Sequence, residues 1–274
     1  MRVQVPCCAK INTFLSVGRV DAYGYHPLRT VFQSVGLFDE LELEAEMGMP
    51  SAGWSLKVVG QDLPEENTLS KTLRFLNEVA QVPHLEITLR KAIPSQSGLG
   101  GGSSDAAGLI RGVQPFLPAP LSRETQLDIA AAVGADVPYF LVGGRAVGEG
   151  YGERLTLLPD LEPRWVLIAH PEIACSTKEM YGKLDDISYD WKELDIEATY
   201  NDFERVAPCE CLELIERLQS LGATSSGLTG SGSAVFGFFD SLESGLGAKE
   251  QLGEGAWLVR TLSREESLGM QIVE

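Results

Sequence analysis

A segment rich in glycine and serine, residues 94–107, constrains the fold of this 274-residue chain more than any other. It stands between residues 85–93, which alternate like a half-buried strand, and residues 104–113, which predict a helix. Glycine allows positive φ angles and close approach to a ligand, and N–H groups at the start of a helix attract anions. The segment therefore predicts a phosphate-binding loop. The alternative, a flexible surface linker, seldom separates so regular a strand and helix.

The segment matches neither of the two best-known phosphate loops. A Walker A loop needs glycine and lysine followed by serine or threonine, a combination that the segment lacks. A dinucleotide fingerprint needs glycine or alanine three residues after Gly100, where Ser103 stands. The sequence therefore indicates a third kind of phosphate loop.

The charge of the chain limits its partners. Its formal net charge is −17 and its pI is near 4.6, which disfavours nucleic acid and anionic membranes because both repel an acidic protein. We therefore expect any polyphosphate to be held locally, by loop N–H groups and a few cations. No apolar run approaches 18 residues and residues 1–6 lack the features of a signal peptide, so we expect a cytoplasmic protein.

The cysteines and histidines form no pattern typical of a metal site. The five cysteines include no C-x-x-C pair, so we expect reduced thiols rather than a disulfide framework or a zinc cage. The three histidines are scattered and lack the spacing of metal ligands. The sequence therefore predicts no metal site built by the protein.

Hydrophobic periodicity divides the chain into two sets of alternating elements, which predict an α+β protein with two domains, residues 1–155 and 156–274. The first set contains predicted strands and helices at residues 2–8, 12–20, 29–38, 40–46, 55–59, 69–79, 85–93, 104–113, 122–134 and 143–153. The second set contains predicted strands and helices at residues 165–169, 176–183, 212–221, 225–239, 246–252 and 256–261.

Two short polar segments in the first domain indicate chemistry. Lys10 and Asn12 lie between apolar strand patterns and share one face of the predicted strand, although a lysine there more often only extends its amine to solvent. Residues 21–27 carry Tyr25 and His26, a composition suited to stacking a flat ring and hydrogen-bonding its edge. A plain turn is the alternative for this segment.

Two further segments add candidates. Asp136 lies between a helix end at Gly134 and an apolar run that begins at Pro138. Helix termination explains Gly134 and Pro138 but leaves the carboxylate of Asp136 free for another role. Residues 227–234 form a second loop of glycines and hydroxyl residues between strand patterns, for which a hairpin turn is the alternative.

Taken in order, these segments resemble the GHMP kinase superfamily. The resemblance rests on PCCAKIN at residues 6–12, the loop at 94–107, GLTGSGSA at 227–234, and the connecting segments DAYGYHP (21–27), GADVP (134–138), HP (170–171) and NDFE (201–204). It implies a two-domain α+β GHMP kinase fold, with an N-terminal domain like ribosomal protein S5 domain 2 and a ferredoxin-like C-terminal domain. The active site would lie in the cleft between them.

The resemblance also implies a reaction and the residues for it. ATP would phosphorylate an alcohol of a small substrate that carries a cytidine diphosphate group, in isoprenoid-precursor synthesis. By similarity Asp136 would accept the hydroxyl proton and Lys10 would orient Asp136 and offset negative charge. Mg²⁺ would accompany ATP, with the hydroxyl of Ser104 as the one protein ligand suggested.

The binding residues that the resemblance implies fall into two groups. Those for the substrate are Asn12 at the methylerythritol group that carries the alcohol, Tyr25 and Tyr181 on either side of cytosine, His26 at the edge of cytosine, and Thr177 nearby. Those for ATP are Asn67 and Lys91 on the adenine side and the loop residues Pro94, Ser95, Gln96, Ser97, Gly98, Leu99, Gly100, Gly101, Gly102, Ser103 and Ser104.

The chain departs from the superfamily pattern in two places. Gln96 and Ser97 stand where the loop usually has glycine or alanine, and a positive φ angle at Gln96 would be strained. Cys7 and Cys8 stand where Ser-Pro or alanine-rich residues are more usual. Neither departure affects the implied catalytic pair.

Two other functions stay open at this point. Another kinase of the superfamily, acting on homoserine or a mevalonate derivative, would not need Tyr25 and His26 to bind cytosine. A catalytically silent nucleotide-binding regulator is suggested by Gln96 and opposed by the presence of Lys10 and Asp136. For each function we expect a monomer or a weak homodimer.

Overall fold

The computed structural model describes residues 1–45, 53–171, 173–187 and 189–273. Its strands are β1 (Arg2–Val17), β2 (Leu28–Glu44), β3 (Trp54–Val59), β4 (Leu85–Arg90), β5 (Arg145–Glu149), β6 (Arg154–Leu157), β7 (Trp165–Ala169), β8 (Tyr200–Asn201), β9 (Ser225–Leu228), β10 (Val235–Phe239), β11 (Ala256–Arg260) and β12 (Gln271–Val273). Its α-helices are α1 (Thr68–Val79), α2 (Gly101–Gly112), α3 (Arg123–Val133), α4 (Val137–Val142), α5 (Thr177–Asp185), α6 (Cys209–Ser220), α7 (Leu242–Leu252) and α8 (Arg264–Ser267). Short 3₁₀ turns cover Gln114–Phe116 and Asp202–Arg205.

The first sheet is built on two long antiparallel strands, β1 and β2. Its order is β12-β1-β2-β4-β3, with β5 beside β2, β6 beside β5, and β8 beside β1. The sequence predicted two strands in place of each long one, and this was wrong because β1 continues through register shifts at Cys8/Ala9 and at Asn12/Phe14. A bulge of this kind interrupts the alternation of side chains without ending the pairing. Glu46, the predicted end of a strand, lies outside the described residues.

Helices α1 to α4 cover one face of the first sheet and enclose the largest hydrophobic core. Helix α2 lies close against β1, since a Cβ atom on Gly108 would stand 2.4 Å from the Cys7 sulfur and one on Gly112 would stand 2.8 Å from Val5. This helix begins at Gly101, three residues earlier than its predicted start. The glycines that suggested a loop are therefore partly the first turn of the helix.

The second sheet is antiparallel, with the order β11-β7-β10-β9, and it has a core on each face. Leu167 packs into the core that helices α5, α6 and α7 help to cover. Val166 and Ile168, its neighbours along β7, pack instead with Ala9 and Ile11 of β1. This third core joins the two sheets, and β8 and β12 return to the first sheet from the second half of the chain. The α+β two-sheet architecture is confirmed, while the boundary at residue 155 stays a prediction.

None of the helices in the described part of the chain has the length and apolar character needed to cross a membrane.

Candidate active site

A cavity of about 1010 Å³ opens where the two sheets meet. Of the residues predicted for the site, those that line it are Lys10, Asn12, Tyr25, His26, Lys91, Pro94, Ser95, Gln96, Ser97, Gly98, Gly100, Gly101, Gly102, Ser103, Asp136, Thr177 and Tyr181. Asn67, Leu99 and Ser104 do not line it. The fold therefore collects segments more than 200 residues apart in sequence, at Lys10 and Ser231, around one space.

The glycine-serine segment forms a curved loop at the start of α2. Gln96, Gly98 and Gly100 all have positive φ angles, of 55°, 78° and 78°. Gly100 is the residue that precedes the helix, so the N–H groups of Gly101 to Ser103 have no partner within α2. These N–H groups lie at the positive end of the helix dipole. The loop has the shape and polarity of an anion site, and Gln96 adopts the left-handed conformation that disfavours a side chain.

The loop is held between β1 and the segment that connects β9 to β10. The N–H of Lys10 donates to the carbonyl of Leu99 at 2.9 Å, and the N–H of Ala234 donates to the carbonyl of Ser97 at 3.0 Å. A Cβ atom on Gly98 would stand 2.1 Å from the carbonyl oxygen of Thr229. The second glycine loop therefore packs directly against the first, and only glycine fits at residue 98.

Lys10 and Asp136 form an ion pair in the cavity. Lys10 is 3% exposed, and its Nζ donates to the carbonyl of Gly98 and to Oδ1 of Asn12, both at 2.6 Å. Its distance to Oδ2 of Asp136 is 3.8 Å. Burial lowers the pKa of Lys10, and the carboxylate of Asp136 opposes this effect. Asp136 precedes α4 without capping it and is 36% exposed, so its carboxylate is open to the cavity.

Asn12 connects Lys10 to the second glycine loop. Its Oδ1 also accepts the N–H of Gly230 at 3.0 Å, and its Nδ2 donates to the hydroxyl of Thr30 at 2.7 Å. Its backbone N–H donates to the hydroxyl of Thr229 at 3.1 Å. Within the described residues, the side-chain amide oxygen of Asn12 and one of its two amide hydrogens thus form hydrogen bonds. This network fixes the position of the Lys10 ammonium.

Lys91 is part of a buried trio that the sequence did not predict. Its Nζ donates to Oδ2 of Asp105 at 2.8 Å and to Oδ2 of Asp39, and the three side chains are at most 3% exposed. Oδ1 of Asp39 accepts the N–H groups of Ala92 and Ile93 at 2.6 and 2.9 Å. Burial acts to lower the pKa of Lys91, but the two carboxylates outweigh it and the pKa is raised. The trio holds the entrance to the phosphate loop against β2 and α2.

Asn67 is the N-cap residue of helix α1, and its side chain caps the helix. Its Oδ1 accepts the N–H groups of Leu69 and Ser70 at 2.9 and 3.1 Å, and its Nδ2 donates to the carbonyl of Pro64. It lines a neighbouring cavity of about 510 Å³, which shares Thr68 with the main cavity. Asn67 is therefore close to the adenine side of the predicted site, in a capping position.

A group of aromatic residues also lines the main cavity. The rings of His26 and Tyr181 are 4.8 Å apart and inclined by 30°, and the rings of Tyr25 and Tyr151 are 5.3 Å apart. Nδ1 of His26 is 2.9 Å from the carbonyl of Gly18. The sequence predicted Tyr25 and Tyr181 as two plates around one base. In the structure the ring of His26 lies beside Tyr181 and the ring of Tyr151 lies beside Tyr25, and the flanking of one base by Tyr25 and Tyr181 stays a prediction.

Of the lining residues that the sequence did not predict, those with ionisable side chains are Tyr151, Lys178 and Asp185. Oδ2 of Asp185 is 3.5 Å from Nε2 of His26. Lys178 is exposed on the first turn of α5, and no ion pair is recorded for it within the described residues. Lys178 lies within the predicted element at residues 176–183 and Asp185 follows it. No local signal in the sequence separated either residue from ordinary surface residues.

The described residues offer little to hold a metal ion by themselves. They contain no group of three or more histidine, cysteine, aspartate or glutamate side chains arranged for one. Ser104 is 1% exposed, and Asp105 is committed to Lys91. Mg²⁺ commonly keeps several waters and binds mainly through substrate phosphates, which is compatible with this sparse set of oxygen donors.

Comparison with known proteins identifies the family. Residues 67–144 match the GHMP kinases N terminal domain, and residues 190–256 match the GHMP kinases C terminal family. The 4-diphosphocytidyl-2-C-methyl-D-erythritol kinase of Geobacter metallireducens is 33% identical over 269 residues, which cover 92% of this chain and 94% of that relative. The enzyme of the same name from Thermotoga petrophila is 36% identical over 250 residues, covering 84% of this chain and 90% of that relative.

Solved structures agree with this assignment. A crystal structure of 4-(cytidine 5'-diphospho)-2C-methyl-D-erythritol kinase superimposes with a TM-score of 0.80 at 30% identity, covering 94% of this chain and 98% of that one. A homoserine kinase from Cytophaga hutchinsonii shares the fold, with a TM-score of 0.72 at 17% identity, and covers 99% of this chain and 97% of its own. The chain belongs to the 4-diphosphocytidyl-2-C-methyl-D-erythritol kinase family of the GHMP kinases.

Proposed function

We propose that the chain transfers the γ-phosphoryl group of ATP to the 2-hydroxyl of 4-diphosphocytidyl-2-C-methyl-D-erythritol. The observation that carries the proposal is the order of groups along one cavity. Lys10 donates to Gly98 of the phosphate loop and lies 3.8 Å from Asp136. Burial and, in turn, the carboxylate of Asp136 raise the pKa of Tyr181, whose ring lies 4.8 Å from that of His26. Family membership at 33% identity over 92% of the chain supports the same reaction.

The pair of Lys10 and Asp136 supplies the chemistry that this reaction needs. Phosphoryl transfer depends mainly on positioning and on stabilisation of charge. We assign Asp136 to hold the substrate hydroxyl and accept its proton, and Lys10 to orient Asp136 and offset the developing negative charge. Because a carboxylate is a weak base for an alcohol, Asp136 acts chiefly by alignment, with proton transfer late in the reaction.

The phosphate loop and its surroundings suit ATP. Its free N–H groups and the dipole of α2 favour an anion, and the protein's net charge of −17 makes such local binding necessary. Lys91 and Asn67 lie on the side that we assign to adenine. Mg²⁺ would arrive with ATP and neutralise phosphate charge, and Ser104, which is buried and does not line the cavity, would have to become accessible to serve as its one candidate protein ligand.

The aromatic end suits a cytosine. A carbonyl oxygen can only accept a hydrogen bond, so the contact with Gly18 places a hydrogen on Nδ1 of His26. Its other ring nitrogen, Nε2, lies 3.5 Å from Oδ2 of Asp185, and we assign His26 to the edge of the base. We assign Tyr25 and Tyr181 to the faces of the base, Thr177 to a nearby polar contact, and the free amide hydrogen of Asn12 to the methylerythritol. The cytoplasmic location and the monomeric or weakly dimeric state stay predictions.

The test is a steady-state comparison of Asp136→Asn and Lys10→Ala with the wild type. Both changes remove groups that act in the transition state, so we expect kcat to fall by about 10²-fold or more while KM changes little. Calorimetric titration of cytidine diphosphate identifies the substrate class, because a homoserine or mevalonate kinase has no use for cytosine. Wild-type turnover in Asp136→Asn, or no heat of binding with cytidine diphosphate, would overturn the proposal.

A further inference from the structure

We propose that Tyr151 is a positioning residue for the cytidine end of the cavity, with Asp21 as its anchor. Tyr151 lies in the turn between β5 and β6, more than 120 residues from the loop at residues 18–27 that carries Tyr25 and His26. It lines the cavity together with both of them. The inference rests on the proposed function, since it concerns how the same site holds its cytosine.

The carboxylate of Asp21 connects the two segments. Its Oδ2 accepts the hydroxyl of Tyr151 at 2.7 Å. Its Oδ1 accepts the N–H groups of Tyr23 and Tyr25 at 2.9 and 3.1 Å. One side chain therefore fixes the backbone of Tyr25 and, through its other oxygen, the ring of Tyr151.

The ring of Tyr25 needs such support. It is 62% exposed, and the one aromatic ring in contact with it among the described residues is that of Tyr151, at 5.3 Å and 50°. A half-exposed tyrosine without a neighbour would populate several rotamers and would have to be ordered by the substrate. The contact with Tyr151 restricts these rotamers before the cytosine arrives.

The turn that carries Tyr151 is itself fixed to the loop. The N–H of Leu28, two residues after His26, donates to the carbonyl of Gly150 at 2.8 Å. The N–H of Tyr151 donates to Oε2 of Glu153 at 2.7 Å. The Glu153 contact lies within the turn, whereas the bond from Leu28 to Gly150 and the side-chain bond from Tyr151 to Asp21 join the turn to the loop at residues 18–27.

The hydrogen bond persists at physiological pH. The carboxylate of Asp21 raises the pKa of Tyr151 to about 12, and the tyrosine hydroxyl lowers the pKa of Asp21. The hydroxyl therefore stays a donor and the carboxylate stays an acceptor throughout the neutral range. A charge-assisted bond of this kind is stronger than one between neutral groups.

The test compares Tyr151→Phe and Tyr151→Ala by steady-state kinetics. Tyr151→Phe removes only the hydroxyl and should raise KM for the cytidine substrate about 3-fold, and Tyr151→Ala removes the ring as well and should raise it about 10-fold. KM for ATP and kcat at saturation should stay within about 2-fold of the wild type. If KM for the cytidine substrate, KM for ATP and kcat all changed for the worse to the same extent, the role of Tyr151 would be merely structural and the inference would be overturned.

Tyr23 offers a matched control. It is on the same loop, is 82% exposed and does not line the cavity, so Tyr23→Ala should leave all three parameters unchanged. Asp21→Asn should raise KM for the cytidine substrate, and the double variant with Tyr151→Phe should raise it no further than the larger single effect. Fully additive effects would show that the two residues act separately.

A further variant separates this inference from the proposed function. Tyr25→Ala should raise KM for the cytidine substrate on any version of the proposed function. If it does not, the assignment of cytosine to this end of the cavity fails. If Tyr25→Ala raises it and both Tyr151 variants behave as wild type, the positioning role of Tyr151 fails alone.

Discussion

At the scale of single residues, the buried trio of Asp39, Lys91 and Asp105 carries the clearest electrostatic consequence. Two carboxylates share one ammonium group, and Oδ1 of Asp105 is buried without a partner in the described part of the chain. Burial, together with the neighbouring Asp39, raises the pKa of Asp105 from 3.8 to about 7. A proton on Asp105 near neutral pH relieves the repulsion between the two acids.

This shift makes the stability of the protein depend on pH. Asp105 has a higher pKa in the folded protein than in the unfolded chain, so the folded state binds more protons between about pH 4 and about pH 7, and stability falls as pH rises through that window. Asp105→Asn has the same shape and no charge. We expect urea unfolding to show that the variant gains about 1–3 kcal/mol over the wild type by about pH 8, and less at lower pH. A difference that is constant with pH would contradict the assignment.

At the scale of elements, the phosphate loop and α2 act as one unit. Gly100 ends the loop with a φ angle of 78°, and a Cβ atom there would stand 2.7 Å from Cζ of Phe140 and 3.2 Å from Cγ of Lys10. A side chain at this position would therefore be strained and would also displace Lys10. Gln96 is the opposite case, because it already has a side chain at a positive φ angle.

We expect Gly100→Val to abolish binding of an ATP analogue in calorimetric titrations. Gln96→Gly should bind the analogue at least as tightly as the wild type, because glycine adopts the same φ angle without strain. Gly222→Ala is a matched control, since Gly222 has a φ angle of 97°, has no atom within 4 Å of its Cβ position and does not line the cavity. Full affinity in Gly100→Val would place the phosphates elsewhere, and a large loss in Gln96→Gly would make that side chain a ligand contact.

At the scale of the whole molecule, the two halves of the chain are joined by buried polar contacts as well as by a shared core. Asp202, in the second half, is fully buried. Its Oδ2 accepts the hydroxyl of Ser16 at 2.9 Å and the N–H of Val17 at 2.8 Å, both on β1. Its Oδ1 accepts from Tyr200 and Arg205. This carboxylate thus joins β1 to β8 and the 3₁₀ turn that follows it, a segment from the second half of the chain.

We expect Asp202→Ala to lower the free energy of unfolding by about 3 kcal/mol, because it leaves buried donors on β1 without an acceptor. Asp195→Ala is the control. Asp195 is exposed and accepts a single bond, from the N–H of Glu197, so its loss should stay within about 0.5 kcal/mol. Denaturant unfolding of both variants measures the difference, and equal losses would show that the network does not stabilise the contact between the halves.

The sequence alone was sufficient to identify candidate site residues where an unusual local pattern coincides with a function. The glycine loop, Lys10 and Asp136 stood out because a phosphate loop, a polar face in an apolar strand and an unexplained acid are each unusual. Their roles, and those of the other assigned binding residues, stay predictions, whereas the fold class and the family are confirmed.

The remaining features could not be predicted because they depend on tertiary contact. The partnership of Asp39 with Lys91 and Asp105 forms only when β2, β4 and α2 pack together. Tyr151 meets Asp21 only because β5 pairs with β2. The continuous β1 was missed for a different reason, since its bulges break the period of two on which strand prediction depends.

The contact between Gly98 and Thr229 has a consequence for the order in which the protein matures during synthesis. The ribosome releases the phosphate loop about 130 residues before the segment that packs against it, since the N-terminus of the chain emerges first. Until the later segment arrives, Lys10 also lacks the Gly230 end of the network that holds Asn12. We therefore expect a nascent chain that ends before residue 230 to expose a glycine loop without its support, and to acquire competence for nucleotide binding late in translation rather than domain by domain.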